Sequence, residues 1–138
     1  MKLIYLFLFS FLLGISCNMS FNGRPYQLLN KYSMLNFNES NASLVEYNEN
    51  KSGIKEEGII QAVFKMQNLN IDSLEKQLLN LGYKKLPISE LEMGNGFNGN
   101  VQKSDTGYYK LALFRTSIID QLIIVNFTQK KIILYKLI

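Results

Sequence analysis

Histidine is absent from the 138 residues, and cysteine occurs once, at Cys17. The first absence removes the commonest general base and the commonest transition-metal ligand together. Without imidazole, Ser-His-Asp and Cys-His catalysis are excluded, and so are zinc sites that combine thiolate with imidazole. Carboxylates, Lys, Tyr, Ser and Thr are left for chemistry, so no catalytic residue is assigned and neither a metal nor a cofactor is expected. Arginine is scarce as well. Only Arg24 and Arg115 offer the guanidinium that phosphate and base recognition favours, and the formal charge is a mild +4, so nucleic acid is not an expected partner. No internal repeat of fixed period is present.

What is present first is an apolar run. After Lys2 come thirteen uncharged residues, "LIYLFLFSFLLGI", a length that suits the core of an export signal. A spanning helix needs about 20 apolar residues, and Ser16, Cys17, Asn18, Ser20 and Asn22 end the run before that. "GISC", residues 14–17, resembles the lipobox of bacterial lipoproteins, in which a small residue precedes the cysteine. In that family the cysteine receives a diacylglycerol thioether and becomes the first residue after cleavage. The resemblance therefore implies that residues 1–16 are a signal peptide and that Cys17 is the lipid attachment. Two or more acyl chains meet the double-signal requirement for stable anchoring. Asn18, in place of Asp, implies the outer membrane of a bacterial cell envelope. Cleavage would leave 122 residues with a charge of +3, enough for one core. The sequons at Asn18, Asn38, Asn41, Asn50 and Asn126 then read as by-products of Asn and Ser content.

Residues 17–24, "CNMSFNGR", are polar and read as a tether, followed by a single domain over 25–138. Pro25 suits a first helical turn, with Leu28, Tyr32 and Leu35 along one side. The asparagine-rich stretch is expected to be mostly loop, with "SLVEY" as an edge-strand candidate and "NENKSG" as a turn. Gly58–Gln67 predicts a strand, because Ile60, Ala62, Phe64 and Met66 share one side. A helix follows, with Asp72 as cap and Glu75 as its capping-box partner. Leu74, Leu78 and Leu81 form the buried stripe, Gly82 the stop, and Tyr83 folds back onto the stripe. Pro87–Gly107 is irregular. "YYKLALFR", "DQLIIVNFT" and "KKIILYKLI" are strand candidates, the last apolar on both faces and so either buried or a hydrophobic edge. The order β-α-β-β-β predicts an α+β fold, a two-layer sandwich of about four antiparallel strands with one or two helices on one face.

Three motifs invite chemistry. "GNGFNG", Gly94–Gly99, spells a phosphate-loop pattern but lacks the strand before and the helix after that would converge amides on an anion. "DTG", Asp105–Gly107, is similar to the aspartic-protease triplet. Lys103, Ser104 and Tyr108 replace that family's flanking residues, and a turn into a strand accounts for it. Of the acidic pairs Glu56/Glu57 and Glu90/Glu92, only the second shares a face in an extended chain. Phe97, in a Gly and Asn loop with Asn95 and Asn98, and Tyr108 near its return are the candidate binding residues, since loop aromatics either tuck inward or anchor a partner.

The expected function is thus a lipid-anchored, non-catalytic binding or accessory protein of the envelope, with a protein partner and the membrane as its contacts. A toxin-neutralising immunity lipoprotein is one form of it. The alternative is a small envelope hydrolase or glycan-modifying enzyme, which requires two of Glu90, Glu92, Asp105 and Asp120 to converge near Lys103 or Tyr108. Ligand carriage would instead require an apolar cavity between helix and sheet.

Overall fold

The computed structural model describes residues 23–51, 58–89, 101–114 and 118–138. Helix α1 covers 23–33, and strands β1 (Ala42–Lys51) and β2 (Gly58–Met66) follow. Next come helix α2 (Ile71–Asn80) and strands β3 (Lys84–Lys85), β4 (Gly107–Phe114), β5 (Ile118–Asn126) and β6 (Lys131–Leu137). The fold is α+β. Among the described residues its sheet has six strands in the order β1-β2-β6-β5-β4-β3, every pair antiparallel, which corrects the expectation of about four.

Period-two patterning builds the sheet. In β2, Ile60, Ala62, Phe64 and Met66 are buried while Ile59, Gln61 and Lys65 are exposed. Side chains that alternate across a strand place one set against a core and the other toward water. β6 has apolar residues on both faces because it lies between β2 and β5, so the hydrophobic-edge alternative is overturned. Ile132 and Leu134 join the core under the helices, whereas Ile133 joins a second cluster on the opposite face. Full burial of each such side chain contributes about 2 kcal/mol relative to exposure.

The larger cluster gathers Leu29 of α1, Leu74 and Leu78 of α2, Phe64, Ile123, Val125, Ile132 and Leu134, so both helices pack on one face. The other face carries Tyr109, Leu122, Ile124 and Ile133, with Ile88, Leu86 and Val101 packed over them. Gly23 and Arg24, placed in the tether by sequence, are already helical. Arg24 reaches Glu49 on β1 with a two-pronged contact, Nε to Oε2 at 3.1 Å and Nη2 to Oε1 at 2.8 Å. β1 takes in Asn48–Lys51, which sequence assigned to a turn, because each of these residues finds a partner on β2.

Both ends of α2 carry stop signals. At its C-terminus Gly82 adopts φ +80°, the Tyr83 amide donates to the Leu78 carbonyl at 3.0 Å, and the Gly82 amide donates to Leu79 at 3.1 Å. That reciprocal pair satisfies two orphan carbonyls, and the left-handed residue suits glycine. The buried Tyr83 ring then lands in the helix-side core, where its hydroxyl donates to the Ser33 carbonyl at 2.9 Å. The N-terminus departs from expectation. Asn70, not Asp72, is the cap, and its Oδ1 accepts from the Ser73 amide at 3.0 Å. Asn70→Ala is expected to cost about 1 kcal/mol, and Asp72→Ala a few tenths, in urea denaturation monitored by circular dichroism.

Candidate functional site

A cleft of about 230 Å³ between α2, β3 and the start of β4 brings titratable side chains together. It is lined by Glu75, Lys85, Leu86, Asp105, Thr106, Gly107, Tyr108 and Phe127. Tyr108 stands on the helix side of β4, its ring buried and set edge-on to Phe127 with centroids 5.9 Å apart. Its hydroxyl donates to the Glu75 carboxylate. That hydrogen bond, with burial second, pushes the phenol up to about 12. The group is therefore a protonated donor at neutral pH.

Asp105 closes the loop that enters β4. Its Oδ2 accepts from the Gln102 amide at 2.8 Å, Asn126 Nδ2 at 2.9 Å and Gln129 Nε2 at 2.8 Å. The amide of Gln102, then the side chains of Asn126 and Gln129, hold the carboxyl below the usual carboxylate range. Such donors favour the charged form, as they do wherever a carboxylate ends a turn. Asn126, itself fully buried, turns its Oδ1 to the Gln129 amide at 2.9 Å. Beside it the Thr106 amide donates to Thr128 Oγ1 at 2.8 Å, and the Phe127 amide donates to the Thr106 carbonyl at 2.8 Å. The 101–106 loop and the β5–β6 turn are thereby sewn together. No buried side-chain nitrogen or oxygen among the described residues lacks a partner.

Of the acids named by sequence, the two that are described, Asp105 and Asp120, do not meet. Asp120 lies at the far end of β5, six residues or about 20 Å along the strand from Asn126, and binds Lys136 at 2.7 Å. Lys103 is an exposed turn residue. Glu90, Glu92, Asn95, Phe97, Asn98 and the 94–99 motif lie outside the described residues, as does Cys17. Tyr108 is the one binding candidate that is described, and it faces the core with only its hydroxyl turned to Glu75. The carboxylate that joins Asp105 in the cleft is Glu75, which the sequence assigns to the helix cap. An acid one position past Leu74, at the margin of the α2 stripe, is the signal that marks it.

Two further clefts are formed by described residues. One of about 250 Å³ is lined by Met66, Gln67, Ile71, Phe127 and Lys130, and one of about 160 Å³ by Leu35, Asn41, Asn70, Ser73 and Gln77. No group of three or more Cys, Asp or Glu side chains converges among the described residues, and no helix there is long and apolar enough to cross a membrane. Tyr108→Phe is expected to lower stability by about 1 kcal/mol, since Glu75 loses its donor. The alkaline limb moves too. A phenol raised in the folded state stabilises below its unfolded value of about 10, and that contribution fades as pH rises through about 12. Urea midpoints between pH 8 and pH 11 in both proteins read this difference. No protein-family model matches the chain, and no curated protein or solved structure is significantly similar to it.

Proposed function

We propose that this chain is a lipid-anchored, non-catalytic binding protein of the bacterial cell envelope, held at the outer membrane through Cys17 and acting through protein contacts. The observation that supports it is the state of the cleft. Asp105 is occupied by three internal donors and Glu75 by Tyr108, so the polar residues serve as a joint between loops. A binding surface is at hand on β1, which among the described residues pairs with β2 alone and exposes Leu44 and Val45 where its register shifts, next to the Tyr26 hydroxyl that donates to the Ala42 carbonyl at 2.7 Å and accepts from the Leu44 amide at 3.2 Å. Edge strands offer backbone groups to a partner chain, and a bulge at that point restricts which chain fits. Neutralisation of a delivered toxin is one task such an edge performs.

The test has two arms. Mass spectrometry of the mature N-terminus is expected to find a diacylglyceryl Cys17, and Cys17→Ser to move the protein out of the membrane fraction. A photo-crosslinking side chain at position 45, in intact envelopes, is expected to yield one discrete adduct that is absent with the same group at Lys76, exposed on α2. An unmodified Cys17, or identical patterns at the two positions, defeats the reading. The alternative of a small hydrolase draws on the shared cleft of Glu75, Lys85, Asp105 and Tyr108. It requires a hydrolytic activity on glycan or ester substrates that Glu75→Gln abolishes.

A further inference from the structure

Two connections pass beside the start of α2. Residues 67–70 carry β2 into the helix, and residues 127–130 turn β5 into β6. The Met66 amide donates to the Lys130 carbonyl at 2.8 Å and the Gln67 amide to the Asn41 carbonyl at 3.0 Å, so backbone hydrogen bonds pin both in place. The pocket of about 250 Å³ lies between them. Met66, Leu69, Ile71 and Phe127 supply its apolar walls, while Gln67, Asn68 and Lys130 supply the polar ones. No acidic side chain is among the described residues that line it. Apolar walls with a few polar groups are the ordinary make-up of a small-molecule site.

The backbone supplies an independent observation. Of the three non-glycine residues with positive φ among the described residues, two line this pocket: Asn68 at +49° and Lys130 at +52°. Asparagine tolerates the left-handed region, but lysine does not favour it, and glycine or asparagine is the usual occupant of such a hairpin position. Strain of this kind persists where a site needs the side chain. Lys130 is exposed and forms no ion pair with a described residue. We infer that this pocket binds a small carboxylate with an apolar body, the body against Leu69, Ile71 and Phe127 and the carboxylate at the mouth on the Lys130 ammonium. A cation with no acid beside it selects an anion over an amine. At about 30 Å³ per water the volume equals about eight waters, which suits a whole six-carbon acid. This site goes beyond the protein-binding reading above and does not depend on the anchor.

Saturation-transfer NMR titrations of the full chain with hexanoate, hexanamide and hexylammonium test this. Hexanoate is expected to bind saturably and about fivefold more tightly than hexanamide, the effect of one exposed ion pair, and hexylammonium not to bind. Lys130→Gly relieves the backbone and removes the ammonium together. Its urea midpoint is expected to rise while its affinity for hexanoate falls to that for hexanamide. Lys130→Gln, which removes the charge alone, is expected to show the same loss and serves if the glycine variant misfolds. Ile71→Glu is expected to weaken hexanoate by about tenfold or more, since a carboxylate then faces the ligand. Leu79→Glu, 51% exposed on the same helix but outside the lining, is expected to leave it unchanged. No saturable binding, equal affinities for the three probes, or hexanoate binding that the Lys130 variants retain overturns the inference. Acetyl-Ala-Ala-Leu with a free carboxylate, if it binds about tenfold more tightly than hexanoate, reassigns the pocket to a protein C-terminus and overturns the small-acid assignment as well.

Discussion

Gly107→Ala is expected to destabilise the domain by about 4 kcal/mol, a large part of the 5–15 kcal/mol that holds a typical domain folded. A methyl group built on Gly107 falls 2.1 Å from the Val125 carbonyl oxygen, and the residue sits at φ +144°, a region that side chains oppose. Neither neighbour has room to give. Val125 is fully buried in β5, and the Gly107 carbonyl accepts the Leu86 amide at 3.0 Å, so a shift in one strand strains β3 as well. Gly82→Ala supplies the contrast. It too has a positive φ, +80°, but nothing lies within 4 Å, so only the backbone penalty of about 1 kcal/mol applies. Urea denaturation should show a midpoint shift for Gly107→Ala several times that of Gly82→Ala with an unchanged slope. Equal shifts would mean that the close approach of β4 to β5 is not as described.

Asn126→Asp is expected to cost about 3 kcal/mol at neutral pH, because it replaces a buried donor with a second carboxylate facing Asp105. The native contact is Nδ2 to Oδ2 at 2.9 Å. Two negative charges at that spacing cannot both persist, so the folded variant takes up a proton with a raised affinity. The sign of the pH response then reverses. In the native protein Asp105 is held low, so its contribution is complete above the unfolded carboxyl value of about 3.9 and is lost as pH falls through the lower folded value. In the variant the shared proton is favoured by folding, so stability rises as pH drops from 7 toward 4. Midpoints at pH 7 and pH 4.5 in both proteins decide the matter, and a variant that weakens on acidification would overturn this account.

The parts of the fold that sequence makes legible are those where local chemistry and burial agree. β2 alternates cleanly, Gly82 stops α2 where the stripe of Leu74 and Leu78 ends, and Tyr83 returns to the core. β1 is legible only in part because Asn48–Lys51 has poor strand preference, and only pairing with β2 extends it. β3 is two lysines with no pattern to find. The cap moved from Asp72 to Asn70 because both residue types cap well and Glu75 is drawn away to Tyr108 across 33 residues. Spatial strand order is likewise hidden. The double-sided apolar character of β6 signalled burial without saying between which neighbours. At the cleft, the Asp105 turn was readable from "DTG", whereas the Asn126 and Gln129 donors come from a turn over twenty residues later.

β6 is the seam of the sheet: it pairs with β2 on one side and β5 on the other, and it follows the other five described strands in sequence. During synthesis or export from the N-terminus, the β1–β2 hairpin and the β4–β5 hairpin emerge as separate pieces with facing raw edges. They share one sheet only when residues 131–137 arrive. Until then each half presents a row of unsatisfied amides beside apolar side chains, which is the state that chaperones hold and proteases cut. Loss of those few residues would therefore not trim the domain but leave two fragments with no common sheet.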